Sequence, residues 1–296
     1  MRQHRLISRF FMGLVFFFLY APILVLVVFS FNDSKSNAIW AGFTLDWYGK
    51  LFHDSMILDA LWTTLAVSVL AAVIATVAGT AAAIGFNNMR RRPRGLFLTV
   101  NSIPLTNADI ITGVSMMLLF VLAVGAWNAT LGQLLGIKWQ LGFVSLLVAH
   151  ITFDIPYVIL SVMPKLRQLD PNIHEAAQDL GATGLYAFRR VVLPEIMPGV
   201  VNGLLIAFTM SIDDFVISYF TAGSGASTLS MVIYSMVKKR ISPEINALST
   251  LMFVTVLALL VVINFRQSRQ EKLALRRSAA LEPADAGPPA ADDASL

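Results

Sequence analysis

Six long apolar runs constrain this chain of 296 residues more than any other feature. The first, FFMGLVFFFLYAPILVLVVFSF from Phe10 to Phe31, holds no charged residue. A helix needs about 20 apolar residues to cross the hydrocarbon core of a bilayer. Similar runs follow at Leu61–Phe86, Leu96–Val124, Leu141–Met163, Ile196–Ala222 and Ala247–Phe265. Composition agrees: 56% of residues are hydrophobic and 14% charged, against about 45–50% and about 25% in soluble domains. The expected fold is an all-α polytopic membrane protein with six transmembrane helices. The first run is too long for a secretory signal core and lacks a small-x-small cleavage site, so it reads as an uncleaved span.

Orientation follows from Lys and Arg, which concentrate in cytoplasmic loops. Arg2, Arg5 and Arg9 precede the first run, and Arg90, Arg91, Arg92 and Arg94 follow the second. Lys165, Arg167, Arg189 and Arg190 follow the fourth; Arg266, Arg269, Lys272, Arg276 and Arg277 follow the last. The opposite side holds only Lys35, Lys50, Lys138 and the local cluster Lys238–Arg240. Both termini are therefore expected in the cytoplasm. On this reading 1–9 is a basic cap, 10–265 the membrane domain and 266–296 a cytoplasmic tail, disordered from about Ser278. The net charge of +4 then reports topology, and nucleic acid is not an expected partner.

Between the fourth and fifth runs, 164–195 forms the most polar insert. Asp170-Pro171 reads as an N-cap with proline at the first helical position, opening a helix over Asn172–Leu180. Gly181 is its natural stop. Thr183 then caps a second helix, Gly184–Val192, which is expected to end before Leu193-Pro194. Ile173, Ala176, Ala177 and Leu180 recur at helical spacing, as do Leu185, Phe188 and Val192. Such stripes suit either docking into a partner's groove or a solvated helical loop.

Glu175-Ala176-Ala177, three residues, Gly181, nine residues and Val191-Val192-Leu193-Pro194 resemble the EAA loop of ABC-importer permease subunits. Only the isoleucine of that signature departs, replaced by Val191. LYAPILVLVVFSFN, HITFDIPYVI, FTMSIDDFVISYFTAG and SPEINALST are similar to spermidine/putrescine permeases of the PotC type, a likeness covering about 10–270. The resemblance implies a multi-pass subunit of the bacterial inner membrane. It also implies a second homologous permease, a cytoplasmic ATPase dimer carrying ATP-Mg, and an extracytoplasmic polyamine-binding protein. Glu175, Ala176, Ala177, Gly181, Leu193 and Pro194 would couple this chain to the ATPase. Consistently, the chain contains no G-x-x-x-x-G-K-[ST] phosphate loop.

Asp109, Asp154, Asp213 and Asp214 fall within the apolar runs, where no Lys or Arg does. A carboxylate at helix centre costs about 2.5–3.5 kcal/mol on insertion scales, so each should face protein or water. An all-acidic path suits a cation. Asp154 lies four residues after His150 and reads as its helix-face partner. Asp109 either caps backbone freed by Pro104 or lines the path. Adjacent Asp213 and Asp214 would point about 100° apart on a helix. The resemblance assigns Asp109, Asp213 and Asp214 to a polyamine path and makes Trp47 the best-placed aromatic for a cation–π contact. Otherwise Trp40, Trp47 and Tyr48 form an interfacial belt. Leu229, Val232, Ile233, Met236 and Val237 suggest a short helix, packed on its own bundle or touching the binding protein.

The alternatives are an importer of another amine-bearing solute, an ion-coupled secondary transporter and an intramembrane aspartyl protease. The second expects a repeat relating two halves, and none is visible. The third lacks a GxGD-like context around Asp213-Asp214. The chain has no cysteine, and His4, His53, His150 and His174 are scattered. No catalytic residues, metal ligands or bound cofactor are expected on this chain.

Overall fold

A computed structural model describes residues 2–34, 39–170, 172–239, 243–258, 260, 261 and 265. The described residues are helical apart from loops and one isolated bridge between Asn32 and Phe43. Five helical stretches are long and apolar enough to cross a membrane: Arg9–Phe29, Ser55–Asn88, Asp109–Ala129, Phe143–Gln168 and Gly184–Ile212. A shorter apolar helix, Pro243–Ala258, covers the start of the sixth run, whose end lies largely outside the described residues. The tail beyond Phe265, and with it the expected disorder from Ser278, also lies outside them. The chain divides into Met1–Thr250 and Leu251–Leu296; in the second unit, 251–258 is helical.

In the first unit, α1 (Arg2–Phe29) leads into a loop tied down by Asn32. The buried Asn32 amide donates to the Ile39 carbonyl at 2.8 Å and accepts from the Ala41 N–H at 2.9 Å. Helix α2 (Asp46–Leu51) follows, and Asp54 caps α3 (Ser55–Asn88) by accepting from Met56 and Ile57 N–H groups. Next come α4 (Arg91–Thr106), α5 (Asp109–Ala129), α6 (Leu131–Leu135) and α7 (Phe143–Gln168). The insert forms α8 (Ile173–Asp179) and α9 (Gly184–Ala187), and α10 (Leu193–Ile212), α11 (Val216–Thr221) and α12 (Leu229–Lys239) complete the unit.

The core is the seam of α3, α7 and α10, packed through small residues, as membrane helices require when lipid is as apolar as their side chains. Val67 clusters with Leu146, and Gly79 lies so close to Val158 that a Cβ there would sit 2.8 Å from its side chain. Both steps advance together along the chain, so α3 and α7 run in the same direction. Helix α10 runs opposite: Gly199 meets Ser161 and Lys165, whereas Gly203 meets Val158. Parallel α3 and α7 place Arg90–Arg94 and the insert at one end of the bundle, as the charge pattern expects.

Two expected spans are not single helices. The run Leu96–Val124 is interrupted at Asn107–Ala108, where α4 ends two residues after Pro104. Proline removes a backbone donor and strains the turn before it, and Asp109 opens α5 where its charge complements the helix dipole. The run Ile196–Ala222 is interrupted at Asp213–Phe215. The second insert helix, conversely, does not stop before Leu193-Pro194. It passes through a π-turn, Phe188–Val192, into α10 as one helical stretch from Gly184 to Ile212. The wider turn, closed by the Leu193 N–H to the Phe188 carbonyl, absorbs a proline whose missing donor would break a regular helix.

Candidate functional site

The break in the fifth run is built around His150, on the second turn of α7. Its Nδ1 lies 2.9 Å from Ser211 Oγ, at the end of α10, and its Nε2 lies 3.1 Å from Ser218 Oγ, on α11. Ser211 in turn donates to Asp154 Oδ2 at 2.9 Å. A hydroxyl has one proton, so Ser211, donating to Asp154, accepts from the His150 Nδ1–H. Nε2 is 3.6 Å from Asp214 Oδ2. His150, Asp154, Ser211 and Ser218 are all buried.

Asp214 closes the other side of the break. Its Oδ2 accepts from the Ser218 N–H at 2.7 Å and its Oδ1 from the Ile217 N–H at 3.2 Å. These are orphan donors of the first turn of α11. Asp213 is exposed, and its carbonyl accepts from Ser230 on α12 at 3.5 Å. The two carboxylates are therefore not on a helix. Phe215 extends the surface, with ring centroids 4.5 Å from Tyr234 and 5.4 Å from Tyr219, and the Lys238 ammonium stands 4.9 Å from the Tyr234 centroid. Asp109 is exposed at the start of α5, one turn before Gly113, which meets Val216, Ile217 and Phe220 of α11.

Two sequence expectations change here. Asp154 does not pair directly with His150; Ser211 stands between them, and Asp214 is the carboxylate facing the imidazole. Helical spacing placed His150 and Asp154 on one face correctly, but it has no view of a serine sixty-one residues away. Trp47 is buried, its indole N–H donates to the Asn32 carbonyl at 2.9 Å, and the Lys50 ammonium covers its ring at 4.3 Å. That ring face holds a cation of its own, and the side chain anchors the loop after α1. Ser211 and Ser218 were missed; their only trace in sequence is polarity within an apolar run.

The insert forms the second surface. Asp170 Oδ1 accepts from the Asn172 N–H at 2.9 Å, but the N-cap position of α8 is Asn172, two residues after the expected cap; Pro171 lies outside the described residues. Gly181 has φ +91°, with the Ala182 N–H bonded to the Ala177 carbonyl and its own N–H to Gln178, a Schellman closure. Thr183 is the N-cap residue of α9 by position, without a side-chain bond. The first stripe splits: Ile173 and Ala177 are half-buried, whereas Ala176 is exposed and Leu180 is 90% exposed. Leu185 and Tyr186 are exposed beside it. Leu180, Gly181 and Tyr186 rim a concavity of about 520 Å³. Glu175 is exposed, Leu193 half-buried and Pro194 exposed where the stretch enters the bundle. Helix α12 packs on its own bundle, with Leu229 and Val232 buried and the Leu229 N–H donating to Thr64 Oγ1 at 2.8 Å. Among the described residues, no group of three or more His, Asp or Glu side chains could hold a metal ion.

The family model for the binding-protein-dependent transport system inner membrane component matches residues 75–274. The chain is 40% identical over 262 residues to the putrescine transport system permease protein PotI of Escherichia coli K12, covering 88% of this chain and 90% of that one. It is 38% identical over 259 residues to the spermidine/putrescine transport system permease protein PotC of the same organism, covering 88% and 92%. Among solved structures, a chain of a bacterial ABC transporter involved in alginate import superposes with a TM-score of 0.67 at 18% identity, over 90% of this chain and 96% of that one.

Proposed function

Because the chain belongs to the family of binding-protein-dependent transport inner membrane components, we propose that it is the permease subunit of an ATP-driven polyamine importer. The observation that carries this is the insert: a helical elbow at Gly181 with bare apolar side chains at Leu180, Leu185 and Tyr186. Such a surface is costly unless a partner covers it. Its sequence matches the coupling signature at Glu175, Ala176, Ala177, Gly181, Leu193 and Pro194. The high identity to putrescine and spermidine permeases supports the solute class.

In this reading the insert faces the cytoplasm with both termini and seats in a groove of a separate ATPase dimer, which holds ATP-Mg. A second homologous permease completes the path, and a loaded extracytoplasmic binding protein docks at the opposite end, near α12. Asp213 and Asp109 line the path from the breaks in two spans, where exposed carboxylates meet an ammonium without a regular helix in the way. Asp214 supports the same break. Phe215 and Tyr219, which pack on each other next to Asp213 in the chain, supply ring faces. Trp47 is left out of the path.

The test is uptake of labelled putrescine and spermidine into proteoliposomes holding this chain, its partner permease and the ATPase, with binding protein inside or outside as orientation requires. ATP-dependent accumulation that is lost without the binding protein is expected. Uptake by this chain alone under a proton or Na⁺ gradient would overturn the reading. Asp213→Asn is expected to lower the import rate about tenfold or more while the ATPase remains stimulated.

A further inference from the structure

Breaking a membrane helix leaves two stumps whose relative rotation nothing in the backbone fixes. Here a single imidazole touches both. Nδ1 of His150 meets Ser211, before the break, and Nε2 meets Ser218, after it, at 2.9 and 3.1 Å. The ring is rigid and 1% exposed, so those two contacts set how far α11 turns relative to α10. Ser145 Oγ adds a bond to the Thr221 carbonyl at 2.7 Å at the far end of α11.

The consequence falls on the adjacent carboxylates. Both oxygens of Asp214 are committed, one to the Ile217 N–H and the other to the Ser218 N–H with the His150 ring beyond. An ammonium binding there would uncap α11. Asp213 is exposed instead. We propose that His150 is a positioning residue for solute passage: through Ser218 and Asp214 it holds the break so that Asp213 faces the path and Asp214 does not. This rests on the reading of Asp213 as a path residue.

The chain has no cysteine, which makes the geometry testable by thiol labelling in the assembled transporter. Asp213→Cys is combined with native His150, His150→Gln, His150→Asn or Ser218→Ala, and the rate of modification by a water-borne alkylammonium thiosulfonate is followed by mass. Glutamine places its amide near Nε2 and keeps the contact to Ser218 and Asp214, whereas asparagine reaches only Ser211. The D213C thiol is expected to label readily with native His150 and within about twofold of that rate in His150→Gln. In His150→Asn and Ser218→Ala it is expected to label about tenfold more slowly. Import in the Asp213 background should follow the same order.

Unchanged labelling in His150→Asn and Ser218→Ala would overturn the proposal. So would loss in His150→Gln equal to that in His150→Asn, with the same yield of assembled complex, since the ring would then be filling space only. If the expected labelling order holds while the native complex takes up no polyamine, the positioning role stands and the polyamine reading fails.

Discussion

Gly181 is the residue on which the insert turns. Its φ of +91° lies where L side chains pay a steric penalty of about 1–2 kcal/mol, and a Cβ there would meet nothing within 4 Å. The cost of substitution is therefore conformational alone. Gly181→Val is expected to reroute the turn from α8 to α9 while leaving the helices of the bundle, and so membrane insertion, intact. ATP-dependent uptake should collapse in Gly181→Val and fall less in Gly181→Ala, measured at equal amounts of membrane-inserted protein. Normal uptake in Gly181→Val would remove the elbow from the coupling. Ser211 poses the opposite case, since it is buried and its hydroxyl links two other buried groups. Ser211→Ala strands the Asp154 carboxylate, whose Oδ1 already has no hydrogen-bond partner, and is expected to destabilise the solubilised protein by about 1–3 kcal/mol in thermal unfolding.

Elements differ in how plainly the sequence announces them. The apolar runs were legible because crossing hydrocarbon is a demand on composition, which single residues report additively. Gly181 was legible because a left-handed turn all but requires that residue. The breaks at Asn107–Ala108 and Asp213–Phe215 were not, since a helix ends where the competing partners are better, and those partners lie elsewhere. Asp214 caps α11 within its own segment, but the imidazole that holds it comes from α7. Pro194 misled for the same reason: a π-turn upstream absorbs it, and i→i+5 bonding leaves no residue signature. What packs α3 on α7 is sharper than the runs suggest. Gly79→Leu would force side-chain atoms into Val158, 2.8 Å from the first added carbon. Overpacking of this kind costs about 1–3 kcal/mol, so a lower thermal midpoint is expected with the same oligomeric composition on gel filtration.

At the scale of the whole molecule, the two surfaces sit at opposite ends of one seam. Helix α7 carries His150 near its start and leads into the insert at its end, and α10 runs back from the insert to Ser211 and Asp213. A displacement of the insert therefore enters the same two helices that hold the break. Bistable packing, not continuous bending, is how such a shift is transmitted, and the close glycine contacts along α7 and α10 make the seam stiff. Whether the insert is gripped by another subunit can be asked without disturbing that seam. Leu180 is 90% exposed and Leu185 66% exposed, so replacing them costs this chain little buried surface. Leu180→Asp with Leu185→Asp is expected to leave the thermal midpoint of the isolated chain unchanged. Affinity for the ATPase should fall about thirtyfold, the roughly 2 kcal/mol of an interface hot spot, read by titrating labelled ATPase onto the solubilised permease pair. Unaltered affinity would move the contact off this knob and leave its exposed leucines in need of another partner.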